Sequence, residues 1–228
     1  ALAYNSTAST NTAVGFQAGY TNATGPELTA IGYQAFYSST GGYNTAVGFK
    51  AGFGQTSGDG NTYMGRGIAS VNIATGNYNT ATGNYAFARG TSSVSNTATG
   101  AASLELTTTC SYNTASGHQA LYSNTTASYN TAVGYQSGYS QTTGGNNTSF
   151  GATSLYSTTT GTLNTAIGQS SLNFNTTGSN NTAVGLQSLF SNTTASNNTA
   201  VGYQTGYTNT TGKESVYIGY KAGFAANS

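Results

Sequence analysis

The chain is short of charge. Of 228 residues, 5 are Lys or Arg and 4 are Asp or Glu, so only 4% are charged, against roughly 25% in an ordinary soluble domain. Five cations cannot neutralise many phosphates, which excludes a basic nucleic-acid binder. Glu and Lys are too few, and glycine too common, for a coiled coil. Cys110 stands alone, so no disulfide framework exists. No apolar run approaches the ~18 residues that span a membrane as a helix, so membrane insertion of this segment is not expected. Trp is absent, yet aromatics reach 12% through 18 Tyr and 9 Phe. That content argues against a solvated, disordered coil. What fills the chain instead is 42 Thr, 32 Gly and 25 Asn, together 99 of 228 positions.

These residues are arranged in a repeat. The string Asn-Thr-Ala-x-Gly recurs with its glycine at Gly15, Gly32, Gly48, Gly65, Gly83, Gly100, Gly117, Gly134, Gly151, Gly168, Gly185, Gly202 and Gly219. Successive spacings are 17, 16, 17 and 18, then 17 throughout, giving thirteen rungs. No linker divides them, so residues 1–228 read as a single repeat domain. A partial rung covers 1–10, regular rungs cover 11–57 and 119–228, and irregular rungs cover 58–118.

Numbering each rung from its Asn, position 1 is Asn11, Asn44, Asn61, Asn79, Asn96, Asn113, Asn130, Asn147, Asn164, Asn181 and Asn198, with Leu28 and Ser215 as exceptions. Position 2 is Thr until Val216, position 3 is mostly Ala, and position 4 is mostly Val or Ile. Position 6 is often aromatic, position 7 often Gln, position 8 small, and position 10 usually Tyr or Phe. The remainder is Asn, Ser, Thr and Gly.

A unit this short with no helical period and many β-formers predicts strands, one at positions 1–4 and one near 6–10. The glycine between them marks a corner that needs positive φ or has no room for Cβ. Stacked turns make an all-β parallel solenoid, or β-roll, with rungs roughly 4.8 Å apart and a rod of about 60 Å. Recurrent positions then become columns. The position-1 Asn residues should form an amide ladder. Small residues at positions 3 and 8, with the apolar residue at position 4, should fill a thin interior. Some aromatics should point outward, and an outward apolar column is usually an interface. This favours self-association as a homotrimer or filament.

The strings Asn44-Thr-Ala-Val-Gly48 and Asn130-Thr-Ala-Val-Gly134-Tyr-Gln-Ser-Gly resemble the head repeats of trimeric autotransporter adhesins, the YadA-like family. They are also similar to repeats of phage tail fibres and large bacterial surface proteins. The resemblance spans all thirteen rungs. It implies a left-handed parallel β-roll assembled as a trimer, working as an extracellular rod on a cell or virion surface. This chain departs by its longer rung, by one residue fewer between Asn and Gly, and by having no recognisable neck, stalk or anchor.

Chemistry has little support. Glu105, Cys110 and His118 fall within one rung's length of each other without a nucleophile motif, and Asp59 and Glu27 cannot cage Ca²⁺ alone. No catalytic, metal or cofactor-binding residue is expected, and the chain reads as non-enzymatic. Between residues 58 and 118 the pattern loosens. Position 4 becomes Thr82, Thr99 and Ser116, and the 18-residue spacing suggests a local bulge. Arg66, Arg89, Glu105 and His118 there form a candidate recognition patch. Sequons of the Asn-x-Ser/Thr type occur at Asn5, Asn22, Asn124, Asn146, Asn147, Asn175, Asn180, Asn192, Asn197 and Asn209. The position-12 set, Asn22, Asn124, Asn175, Asn192 and Asn209, is expected on an exposed turn where a glycan fits.

The chain opens mid-rung at Ala1-Leu2-Ala3 and closes mid-rung at Ser228 with no cap or signal segment, which reads as a piece of something longer. A structural fibre or adhesin segment is the leading expectation, with self, glycans or a host surface as partners. A phage tail-fibre or carbohydrate-binding shaft is the alternative. An ice-binding Thr ladder is a further one, weakened because position 4, beside the Thr column, is apolar.

Overall fold

The computed structural model describes residues 1–71 and 75–225. The chain packs as two compact units, Ala1–Tyr112 and Asn113–Ser228. The first holds β1 (Thr12–Val14), β2 (Thr29–Ile31), β3 (Thr45–Val47), β4 (Thr62–Met64), β5 (Thr80–Thr82) and β6 (Thr97–Thr99). The second holds β7 (Thr114–Ser116), β8 (Thr131–Val133), β9 (Thr148–Phe150), β10 (Thr165–Ile167), β11 (Thr182–Val184), β12 (Thr199–Val201) and β13 (Val216–Ile218). Inside each unit consecutive strands pair in parallel, position to position, as in Thr131↔Thr148 and Thr80↔Thr97. The fold is an all-β parallel solenoid with one rung per 17-residue repeat.

Each strand is only three residues long and reads out-in-out. The middle residue, Ala in most strands, is buried in β2 to β12, while the residues on either side, mostly Thr before it and Val or Ile after it, face outward. This corrects the expectation that position 4 belongs to the core: Val14 is 57% exposed and Phe150 54%. Adjacent residues of a strand point to opposite sides. With Ala inside, position 4 has to be outside.

The strand ends at the position-5 glycine. All thirteen such glycines have φ between +116° and +142°, a region that L side chains rarely adopt. Space is also lacking. A Cβ on Gly134 would sit 2.7 Å from the carbonyl carbon of Gly151 in the next rung. Both reasons for a corner glycine therefore hold at the same place.

The second strand expected near positions 6–10 is not formed. That stretch is a chain of turns with left-handed residues at positions 7 and 9, such as Gln187 (φ +54°) and Leu189 (φ +48°). The cause is that positions 8 and 9 both face the interior, as with Ser188 and Leu189, which strand alternation forbids. Left-handed residues cost about 1–3 kcal/mol each unless their surroundings hold them. Here inter-rung bonds do so: Leu189 N–H donates to Thr205 O at 2.9 Å, and Gln187 N–H to Gln169 O at 3.0 Å. Tight turns within the rung add Ser188 N–H to Gly185 O and Asn192 N–H to Leu189 O.

Position 9, not position 4, supplies the large apolar core. In the second unit Leu155, Leu172 and Leu189 pack with Ala166, Ala183 and Ala200, and Tyr217 closes against them. Burying one such Leu contributes about 1.5–3 kcal/mol. Position 12 compensates for position 9 in volume. Phe87 is followed by Gly90, Leu172 by Asn175, and Gly138 by Gln141, all buried. A Cβ on Gly90 would run into the Phe87 ring. Where Gly52 leaves space in the first unit, Phe36 and the buried Tyr63 fill it.

Candidate functional surface

The position-1 amides form the expected ladder, in a form the sequence does not specify. Oδ1 accepts the backbone N–H of the next position 1, and Nδ2 commonly donates across its own rung, although the Nδ2 atoms of Asn11 and Asn130 have no hydrogen-bond partner among the described residues. Asn147 Oδ1 accepts from Asn164 N at 2.9 Å, while Asn147 Nδ2 donates to Gly161 O at 2.8 Å. The Oδ1 bond recurs along Asn44, Asn61, Asn79 and Asn96, and along Asn113, Asn130, Asn147, Asn164, Asn181 and Asn198. Asn11 and Asn198 accept even where the next rung offers Leu28 or Ser215. These are structural groups in the interior, closed to any ligand.

A second amide ladder went unread in the sequence. Position-7 glutamines bond side chain to side chain: Gln34 to Gln17, Gln136 to Gln119 and Gln204 to Gln187, each at 2.8 Å. Lysines at position 7 show what flanks it. Lys50 Nζ lies 5.6 Å from the Phe49 ring and 5.1 Å from Phe53, and Lys221 repeats this with Tyr220 and Phe224. Position 7 therefore lies between the aromatic columns at positions 6 and 10.

Those columns are stacked lengthwise. Phe16, Tyr33 and Phe49 follow one another at 5.2 and 5.3 Å, and Tyr122, Tyr139 and Tyr156 at 5.1 Å, with planes within 16° of parallel. Inside a run each ring's faces are covered by its neighbours, as for Tyr33 between Phe16 and Phe49, so such rings present their edges to solvent. A sugar that must lie flat on a ring face finds none inside such a column. Together with outward Val and Ile at position 4, these edges flank the glycine corner and leave an uncharged, apolar surface. Within the first unit it runs over Val14, Ile31, Phe16 and Tyr33, and within the second over Ile167, Val201, Tyr203 and Tyr220, all exposed.

The four residues of the candidate patch are not brought together. Arg66 sits at position 6, its guanidinium 5.9 Å from the Phe49 ring and 5.2 Å from Tyr85. Arg89 and Glu105 lie on the flank of positions 10 and 11, where Arg89 N–H donates to Glu105 O at 3.2 Å. Burial raises the Glu105 carboxyl above its ordinary pKa, and Arg89 partly opposes this. His118 belongs to the second unit and stacks on Tyr135 at 5.6 Å. Arg66 and His118 thus extend aromatic columns, and only Arg89 and Glu105 are neighbours. The 18-residue rung loses register within the described residues: Ala69 N–H donates to Phe87 O at 3.3 Å, whereas Phe87 N–H, at the same position one rung on, donates to Ser103 O, and Gly54 N–H donates to Ala69 O in place of Ser70 O. Residues 72–74 lie outside the described residues, and the regular bonding is present again at Thr75.

The position-12 sequons are corrected outright. Asn22, Asn124, Asn175, Asn192 and Asn209 are fully buried. Their amides close the turn from inside: Asn22 Nδ2 donates to Gly25 O and Asn22 Oδ1 accepts from Gly25 N, both at 2.9 Å. A turn rich in Asn looked exposed, but an Asn that bonds its own backbone turns inward.

The loosened rungs carry one new pattern. In β5 and β6 both outward positions are Thr, so Thr80, Thr82, Thr97 and Thr99 form an exposed two-by-two grid in register. Its spacings are about 6.6 Å along the strand and 4.8 Å across. Cys110 is buried, with its thiol 3.8 Å from Asn96 Oδ1 and 3.7 Å from Thr107 Oγ1. Among the described residues no His, Cys, Asp and Glu cluster could hold a metal, and no helix is long and apolar enough to cross a membrane. Compared with known proteins, the chain matches no family model, no curated protein and no solved structure.

Proposed function

We propose that this chain is a non-enzymatic segment of an extracellular fibre or adhesin, a rod displayed on a cell or virion surface and assembled with copies of itself. One observation carries the reading: the runs of Val, Ile, Tyr and Phe at positions 4 and 6, exposed on both units and broken by a charge at Arg66. Apolar surface at this density is energetically poor in water and is covered by partners in working proteins. A second copy has the same rung spacing, so its columns run in step with these. With 4% charge, little repulsion opposes such contact. The resemblance to trimeric adhesin heads and to tail-fibre repeats points the same way. Negative-stain imaging tests it: rods wider than a single roll are expected, and isolated single rolls would oppose it.

A second reading has its own observation. The Thr grid on β5 and β6 supplies a second pair of hydroxyls at position 4, where most rungs carry an apolar residue, a geometry suited to an ordered water surface such as ice. Thermal hysteresis that disappears in Thr82→Val and Thr99→Val would support it, and its absence at millimolar protein would remove it.

A further inference from the structure

The ten sequons divide by their side of the wall. Six are interior: the position-12 residues Asn22, Asn124, Asn175, Asn192 and Asn209 are 0% exposed, and Asn147 in the ladder is 1% exposed. Their Nδ2 atoms are committed inside, as with Asn124 to Ala127 O at 3.1 Å, Asn192 to Asn175 Oδ1 at 2.9 Å and Asn147 to Gly161 O at 2.8 Å. The other four, Asn5, Asn146, Asn180 and Asn197, face outward and are exposed. Asn146, Asn180 and Asn197 occupy position 17 with φ of +58°, +58° and +63°, a conformation that Asn tolerates better than most residues. Each stands on a turn directly before the ladder Asn.

N-glycosylation forms a bond from Nδ2 to the anomeric carbon of an activated sugar. The sugar's diphosphate leaving group departs with the bonding electrons, and one Nδ2 proton goes to a base. A buried amide has room for neither the sugar nor the enzyme. Conversely, a sugar attached to a position-12 Asn before folding cannot be taken into the interior, so that rung cannot close.

We propose that the fold and N-glycosylation are partitioned in this chain: the folded protein accepts N-linked sugar at Asn5, Asn146, Asn180 and Asn197, and it folds only if the six interior sequons are still unmodified. The protein is therefore made where folding precedes, or never meets, a general sequon-reading transferase. The reason the interior sequons exist is structural. Where position 12 is Asn, its amide closes the turn from inside, while position 14 carries an exposed Thr, and together they spell Asn-x-Thr without serving as an acceptor.

Two experiments test this. Protein folded in a bacterial cytosol is treated with a soluble N-glycosyltransferase and a nucleotide-activated hexose, then mapped by mass spectrometry beside its own proteolytic peptides. Hexose is expected on the outward four in the folded protein and on both classes in the peptides. Hexose on any position-12 Asn of the folded protein, or none on the outward four while peptides react, would overturn the proposal. Secretion from an N-glycosylating cell is then compared for the wild type and a variant carrying Thr24→Ala, Thr126→Ala, Ser149→Ala, Thr177→Ala, Thr194→Ala and Thr211→Ala. These changes erase the six interior sequons while leaving every Asn in place. Five alter exposed residues, and the sixth restores the Ala usual at position 3. The wild type should be retained unfolded and the variant secreted folded, with the variant's folding verified first in bacteria. Folded, secreted wild type bearing sugar at position 12 would contradict the proposal, as would a bacterially foldable variant that gains nothing.

Discussion

The loosened stretch at the end of the first unit and the regular second unit differ on the outside and share the amide ladder and the glycine corner. In the second unit the outward residues at position 4 include Val133, Ile167, Val184 and Val201, whereas β5 and β6 carry Thr82 and Thr99 there. Position 6 changes as freely, from Tyr135 and Tyr203 to Asn84 and Ala101. Yet the ladder bonds are the same length. Asn79 N–H reaches Asn61 Oδ1 at 2.9 Å and Asn96 N–H reaches Asn79 Oδ1 at 3.0 Å, as Asn147 N–H reaches Asn130 Oδ1 at 2.9 Å. The corner is also the same, with φ of +135° at Gly83 and +126° at Gly168. The skeleton is fixed by the Asn, the Gly and the inward residues, and the outward columns are free to be set by whatever they touch.

This comparison can be broken most sharply at the corner. Gly83→Val and Gly134→Val should each cost about 2–5 kcal/mol, because a strained φ and an overlap with the next rung's backbone act together. Denaturant midpoints measure it. A mild effect at Gly83 and a severe one at Gly134 would show that the loosened rungs have a looser skeleton.

The next largest contrast lies between positions 9 and 4. Leu155→Ala should cost about 2–4 kcal/mol by opening a cavity, whereas Val133→Thr should stay within about 0.5 kcal/mol in the monomer. Thermal or urea unfolding separates them. The sequence made the period, the corner glycine and the amide ladder legible, because each is a residue type repeated in place. It obscured position 9. Leu155 and Leu172 alternate along the repeats with Gly138, Gly206 and Gly223, and only a left-handed residue lets them face inward beside position 8. The orientation of position 4 was recoverable: positions 3 and 4 cannot both be inside a strand, and the smaller Ala is the one that fits a thin interior. The inward turn of Asn124 and its equivalents was not recoverable, since an amide closing its own turn has the same sequence as an exposed one.

Removing one ladder amide should cost less than the corner. Asn147→Ala and Asn79→Ala should each lose about 1–3 kcal/mol, since each leaves a buried backbone N–H of the next rung without its acceptor. Equal losses would support a common skeleton.

The smallest effects come from titration, and both belong to the first unit. Burial raises the Tyr63 phenol well above its ordinary pKa, and Tyr63 Oη donates to Gln55 Oε1 at 3.3 Å. A raised folded pKa gives stability that is present below the unfolded value of about 10 and lost as pH climbs through the folded one. The first unit should therefore weaken above about pH 10 by a component that Tyr63→Phe abolishes, read as a change in urea midpoint between neutral and alkaline buffer. Glu105, also raised, follows the same sign at lower pH. Its contribution is full below about pH 4.3 and lost above it. Glu105→Gln should thus be slightly stabilising at neutral pH, by at most about 0.5 kcal/mol after solvent screening, and neutral near pH 3.

The central claim is that the outward columns at positions 4 and 6 are contact surfaces between copies. Sedimentation velocity of the purified chain at micromolar concentration tests it most directly, run beside a variant in which Val133, Ile167 and Val201 are changed to Thr and Tyr135 and Tyr203 to Gln. The account predicts species heavier than 23.0 kDa for the wild type and a shift toward monomer for the variant. A wild type that sediments as a stable 23.0 kDa monomer, indistinguishable from the variant, would contradict it.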